Sequence, residues 1–246
     1  MKTIIHIGKI LLINLTEIIN VMKIVAISDL HGFLDLDYLS VNCDVLCICG
    51  DIVPLEIQRN HTASWTWFNE EFLDFCERYP ANRVIFCGGN HDFFLDTVEA
   101  QGKVKKYIAD KYLSSKVIYL MDSGIDYMGK WFWGCPWVGG LPNWAFNTIS
   151  EDHFRAIPDC DVLISHAPIP GPTGTVLQKP DYNQGRDFGS KSLFECLKGR
   201  KIQYHVCGHV HSGEHDCIEI KGTKIHNVSI KDENYEVAYK PFVFEI

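Results

Sequence analysis

The chain has 246 residues, 46% of them apolar and 22% charged, with 23 Lys and Arg against 31 Asp and Glu for a net charge of -8. That length suits one large domain or two small ones with a sizeable buried core, and the ordinary Gly and Pro content excludes fibrous and disordered classes. An acidic balance with no basic run argues against binding along duplex nucleic acid.

Residues 1–21 are apolar behind Lys2 and Lys9, but Lys9, Asn14, Glu17 and Asn20 interrupt them and no small-residue cleavage site follows. They fit neither a secretory leader nor the roughly 20 unbroken apolar residues of a membrane span. They are read as an N-terminal extension ahead of an opening strand at Met22, with residues 22–246 as a single domain. The ten cysteines run from Cys43 to Cys217 without a Cys-x-x-Cys pair. They read as reduced, mostly buried thiols, which points to a cytoplasmic protein.

Lys23–Ser28, Asp44–Cys49 and Arg83–Cys87 are short apolar runs that predict strands. Before the third, Trp65, Phe68, Phe72, Phe75 and Cys76 recur at spacings of three and four, which predicts a helix over Thr62–Tyr79 stopped by Pro80. A second helix is expected over Thr97–Leu113, and the alternation implies a parallel sheet with crossover helices. Further strands are expected at Val117–Met121, Trp131–Gly134, Val162–Ser165, Tyr204–Cys207, Cys217–Ile220, Lys224–Val228 and Phe242–Ile246. Helices are expected over Glu151–Ala156 and Ser190–Lys198, the latter ended by Gly199. Ala167–Gly189, with four Pro and four Gly, is the one extended irregular stretch, a length usual for functional loops.

Five of these strands run into polar motifs: Asp29-Leu30-His31-Gly32, Gly50-Asp51, Gly88-Gly89-Asn90-His91-Asp92, Ser165-His166-Ala167-Pro168 and Gly208-His209-Val210-His211. The C-terminal ends of strands are where α/β sheets put ligand sites. Asp29 and His31 stand two apart, so on an extended chain they project to one side and can grip one ion, a spacing that His209 and His211 repeat. Asp29, His31, Asp51, Asn90, His166, His209 and His211 make seven ligand candidates, enough for two ions sharing a bridge such as Asp51. Imidazole and oxygen without thiolate suit Mn, Fe, Zn or Ni. Two divalent ions bring +4 against -2 from Asp29 and Asp51, and the surplus of about +2 attracts an anion. A phosphate can bridge two ions about 3.5–4 Å apart while a metal-held hydroxide attacks in line. His91 is then the candidate proton donor to the leaving alkoxide, with Asp92 orienting it.

Taken in order, Asp29-x-His31, Gly50-Asp51, Gly89-Asn90-His91-Asp92, His166 and Gly208-His209-x-His211 resemble the calcineurin-like metallophosphoesterase superfamily from Met22 to the C-terminus. The resemblance implies an α/β fold, a four-layer α/β/β/α sandwich of two mixed β-sheets flanked by helices. It also implies that Asp29, His31, Asp51 and His211 hold one ion, that Asp51, Asn90, His166 and His209 hold the other, and that His91 is the catalytic histidine. Gly134-Cys135-Pro136-Trp137, Ser165-His166-Ala167-Pro168 and His226-Asn227-Val228-Ser229 are similar to a branch of small metallophosphoesterase-domain proteins associated with cyclic-nucleotide phosphodiester hydrolysis.

The expected function is dinuclear-metal-dependent hydrolysis of a small phosphodiester, cyclic nucleotides included. A phosphomonoesterase or protein phosphatase, and a non-catalytic metal-binding interaction module, are the alternatives. The expected partner is a small-molecule phosphoester, and the oligomeric state stays open. Trp137, after Pro136, and Arg186, in the long loop, are candidate substrate contacts. Trp131 and Trp133 share one face of a strand and read as core, as Trp65 and Trp67 read as helix packing. Cys49, Cys87 and Cys207 precede three motifs and read as buried fillers, while His205, His215 and His226 read as surface or satisfied core histidines.

Overall fold

The computed structural model describes residues 21–179 and 182–246, so the extension expected at 1–21 lies outside the described residues but for Val21. In β1 (Lys23–Ile27), Val25 and Ile27 face one side and Ile24 and Ala26 the other, and both faces are buried. Such double burial suits a parallel sheet covered on both sides. β1 pairs in parallel with β2 (Cys43–Cys49), β2 with β3 (Ala81–Cys87) and β3 with β4 (Val117–Tyr119). The final strand, β13 (Phe242–Glu245), closes this five-stranded sheet antiparallel to β1. A second, six-stranded sheet holds β5 (Ser123–Tyr127), β6 (Lys130–Cys135), β9 (Cys160–Ser165), β10 (Ile202–Cys207), β11 (Ile218–Ile220) and β12 (Thr223–Asn227) in the order β11-β12-β10-β9-β6-β5. β7 (Val138–Gly139) and β8 (Asn147–Thr148) form a small separate pair.

After the single turn of α1 (Leu36–Leu39), the longest helical run joins α2 (His61–Trp67), a π-helical turn at Phe68–Phe72 and α3 (Leu73–Arg78). Asn60 starts it by accepting the Ala63 N–H. With α4 (Ala100–Asp110), it buries Trp65, Phe68 and Phe72 against Val25, Leu46 and Phe86 of the first sheet. Between the sheets, Ala26, Cys47 and Ile85 meet Phe132, Val162 and Val206. On the far side, Phe154 of α5 (Asp152–Arg155) and Leu193 of α6 (Lys191–Leu197) cover Leu163, Cys207 and Ile225. Four layers result, α/β/β/α.

The sequence reading does not anticipate α1, β5, β7 or β8. In β5 only Ile125 and Tyr127 are apolar, alternating with Gly124 and Asp126, a run too short to stand out in the sequence, and pairing with β6 makes it a strand. Trp131 is 36% exposed rather than core, because it stands beyond the cluster under α5 and α6 that partly covers Trp133. Trp65 and Trp67 are buried as expected. Within Ala167–Gly189, a 3-10 turn at Pro172–Gly174 and a Thr175–Asp187 bridge fold the loop back over the C-terminal strand ends.

Candidate metal centre

The chain leaves β1, β2 and β10 through left-handed backbone. Asp29, His31, Asp51 and His209 have φ of 56°, 42°, 53° and 70°. Non-glycine residues there are strained, and they persist where surrounding bonds over-determine them. Here the Asp29 N–H donates to the Gly50 carbonyl at 3.1 Å, the His31 N–H to the Asp51 carbonyl at 2.9 Å and the His209 N–H to the Asp29 carboxylate at 3.1 Å. The alternation rule for an extended chain is therefore corrected: Asp29 and His31 converge through these turns, not through a strand. Nor do the two later histidines share one target. His211 Nε2 lies 3.4 Å from Asp29 Oδ1, whereas His209 Nδ1 lies 2.8 Å from Asn90 Oδ1. Gly208 is required by contact, since a Cβ there would strike Ser28 Oγ and Asp29 Oδ2.

Asp51 stands in the middle. Its Oδ2 is 3.3 Å from His166 Nε2, 3.9 Å from His31 Nε2 and 3.8 Å from His91 Nε2. Among the described residues, donor atoms gather here in three groups: Asp29, His31 and His211; His31, Asp51 and His91; and Asp29, Asp51 and His166. Asn90 Oδ1 is 2.8 Å from both His166 Nε2 and His209 Nδ1. Whether this set suits cations follows from its hydrogens. The Cys49 and Asp232 carbonyls can only accept, so His166 and His211 donate to them from Nδ1, each at 2.8 Å. Neutral rings then aim bare Nε2 lone pairs at Asp51, Asn90, Asp29 and His31, acceptor against acceptor. Cations between them remove the conflict, and carbonyls behind ligating imidazoles are the usual orienting partners. The residues fit a two-ion centre.

Proton affinities show the same demand for positive charge. Burial opposes a charged His166, but the charge of Asp51 overcomes it and lifts the imidazole to about 9. For His211, burial is likewise outweighed by its bond to Asp29, again to about 9. Burial opposes the Asp29 and Asp51 carboxylates too, yet His211 and His166 respectively hold them below the usual carboxylate range. His31 and His209 are pushed down to about 3 by burial.

The Asp92 expectation is overturned. Its carboxylate accepts the backbone N–H groups of Ile52 at 3.0 Å, Val53 at 3.1 Å and Gly89 at 2.9 Å, so it braces two site turns instead of the imidazole. Burial, then the charge of Asp51, push that carboxyl up to about 7. His91 Nδ1 instead faces Gln58 Oε1 at 2.6 Å. Trp137 is absent from the cavity wall: its indole N–H donates to Asp122 at 2.8 Å and its ring stacks on His153 at 3.7 Å. Arg186 also stands behind the wall, over the Phe188 ring at 5.3 Å and bonded to Asn183 Oδ1 at 2.9 Å. Phe188 and Asn183 themselves line the cavity, which is about 210 Å³.

Other lining residues carry no sequence signal. Trp144 lies 4.6 Å from the His91 ring, and Tyr235 lies 4.9 Å from His31 and 5.0 Å from His211. Both sit in loops, where no periodicity marks them. Asn227 ties the Thr173 and Val210 carbonyls together, giving the His226-to-Ser229 motif a bracing role beside His209 and His211. Burial pushes the Cys49, Cys87 and Cys207 thiols up, away from ligand chemistry.

Two packed mixed sheets whose strand ends gather such His and Asp clusters are the arrangement of a metallophosphoesterase. The sequence pattern of the Calcineurin-like phosphoesterase family matches residues 22–213, and the chain belongs to that family. It is similar to metallophosphoesterase domain-containing protein 1 of Homo sapiens, 26% identical over 91% of this chain and 71% of that protein. A UPF0046 protein of Caenorhabditis elegans is 28% identical over 92% of this chain and 75% of its own length. Another is 34% identical over 56% of this chain, a match spanning only 35% of that longer relative. Phosphopantetheinyl hydrolase of Mycobacterium tuberculosis shares the fold, with a TM-score of 0.53 at 16% identity over 91% of this chain and 95% of that one. Among the described residues, no helix is long and apolar enough to cross a membrane.

Proposed function

We propose that the chain hydrolyses a small phosphodiester with two divalent ions, cyclic nucleotides being one class of substrate. The observation that carries this reading is Asp51 Oδ2, which lies within 3.3–3.9 Å of three imidazoles and makes Asp51 a member of two overlapping groups of donor atoms. Asp29, His31, Asp51 and His211 would hold one ion, and Asp51, Asn90, His166 and His209 the other. Mn, Fe, Zn or Ni suit those donors. When bound, the ions would neutralise phosphoryl oxygens and acidify a coordinated water. His91, whose imidazole is made less basic by burial, would give a proton to the departing oxygen.

A diester is favoured over a monoester by charge. Among the described residues lining the cavity there is no Lys or Arg, and Glu233 adds a carboxylate. A dianionic monoester or a polyphosphate would meet no Lys or Arg there to balance its extra charge, whereas a monoanionic diester asks for less. Leu141, Trp144, Val176 and Phe188 offer apolar contact to its organic part. Residues 22–246 are read as one domain because both the first and last strands belong to one sheet. All ten cysteines are unpaired, which suits a reducing compartment such as the cytosol.

The test is a screen of the protein loaded with Mn, Ni, Co or Zn against bis-p-nitrophenyl phosphate, p-nitrophenyl phosphate and cyclic nucleotides. Diester turnover should exceed monoester turnover; full metal content with no turnover on any ester would defeat the reading. His91→Ala should keep its metal and lose about 10²–10⁴-fold in rate on esters with poor leaving groups. Rates equal to the parent's would remove His91 from the reaction.

A further inference from the structure

We infer that Gln58 is the positioning residue for His91, holding its imidazole by a neutral amide where a carboxylate was expected. The inference rests on the proposed role of His91 as proton donor. Among the described residues, the three aspartates of the site are already engaged. Asp92 accepts three backbone N–H groups, Asp51 Oδ1 accepts the His91 backbone N–H at 2.8 Å, and Asp29 accepts the His209 N–H. That leaves Gln58 Oε1, 2.6 Å from His91 Nδ1. An amide oxygen only accepts, so Nδ1 keeps its hydrogen and Nε2, on the Asp51 side at 3.8 Å, is the atom that exchanges a proton. In the step, a water oxygen bonds to phosphorus and gives up a proton. The P–O bond to the leaving group breaks with its electron pair on the departing oxygen, and the Nε2 proton moves there; the proton given up by the water balances the one His91 loses. The imidazolium becomes imidazole while the Nδ1–H bond to Gln58 stays intact.

The segment carrying Gln58 is built to hold still. Ile57 packs on the helix-side core and its carbonyl accepts the Ser64 hydroxyl at 2.9 Å. Asn60 caps α2, and the Arg59 guanidinium lies 4.3 Å from Phe93 and 5.1 Å from Trp144, the ring that packs on His91. Both neighbours of Gln58 are thus anchored, which fixes a partner side chain better than a free loop does. An amide also adds no negative charge to a cavity that must attract an anion.

The experiment uses the Mn-loaded protein and aryl phosphodiesters of similar size whose leaving phenols span a range of pKa. Gln58→Ala should lose about 10–100-fold on the poorest leaving group and much less on p-nitrophenolate, steepening the dependence on leaving-group pKa. Metal content and melting temperature should stay at the parent's values. Gln58→Glu should recover kcat on the poor leaving groups while raising KM. Adding Gln58→Ala to His91→Ala should cost nothing further, since the first acts only through the second. A uniform loss across the series, no loss, or a Gln58→Glu variant as slow as Gln58→Ala would overturn the inference. A parent protein inactive on the whole series would instead overturn the proposed function.

Discussion

Asp51→Asn is expected to lower turnover by more than about a hundredfold, beyond the range typical of residues that merely support a metal site, and to leave fewer than two ions bound per chain. The carboxylate does two things at once. Oδ2 faces His31, His91 and His166, and Oδ1 fixes the backbone of His91 at 2.8 Å. An amide has one acceptor oxygen and no charge, so it can keep the backbone bond or face the imidazoles, not both. Metal analysis beside steady-state rates on a diester checks this. Two ions with parental rates would remove Asp51 from the centre.

Asp92→Ala should instead be seen first in stability. Three buried N–H groups, those of Ile52, Val53 and Gly89, would lose their acceptor. Leaving a buried donor unmade costs about 1–3 kcal/mol each, so the sum approaches much of the roughly 5–15 kcal/mol that holds a domain folded. Urea unfolding of the metal-free protein measures it directly. Were Asp92 an orienter of His91, activity would fall with the unfolding midpoint unmoved. The contacts require the opposite order, with rate lost because the turns carrying Asp51 and Asn90 loosen. Asp92→Asn, which keeps one acceptor, should fall between the two.

What the sequence made legible is what side-chain type and strand ends encode. Asp29, His31, Asp51, Asn90, His166, His209 and His211 follow apolar runs directly, so locating the strands locates them, and the fold sets their side chains against one another. The manner of their convergence was not legible, because alternation describes extended backbone and these turns are left-handed. Gln58, Trp144 and Tyr235 lie in loops with no period to read, at positions fixed by tertiary packing. Asp92 misled for a related reason: adjacency in sequence suggested a partnership with His91, but a buried carboxylate is claimed by the nearest unpaired donors, and those were backbone. Trp137 likewise found its carboxylate partner, Asp122, across the second sheet's margin.

Asp29, Asp51 and Asn90 hang from the first sheet, and His166, His209 and His211 from the second. Ions gripped by both would rivet the two halves of the sandwich across their seam. Their binding energy then becomes energy of assembly, so cation supply would set how firmly the two layers adhere as well as how fast the chemistry runs.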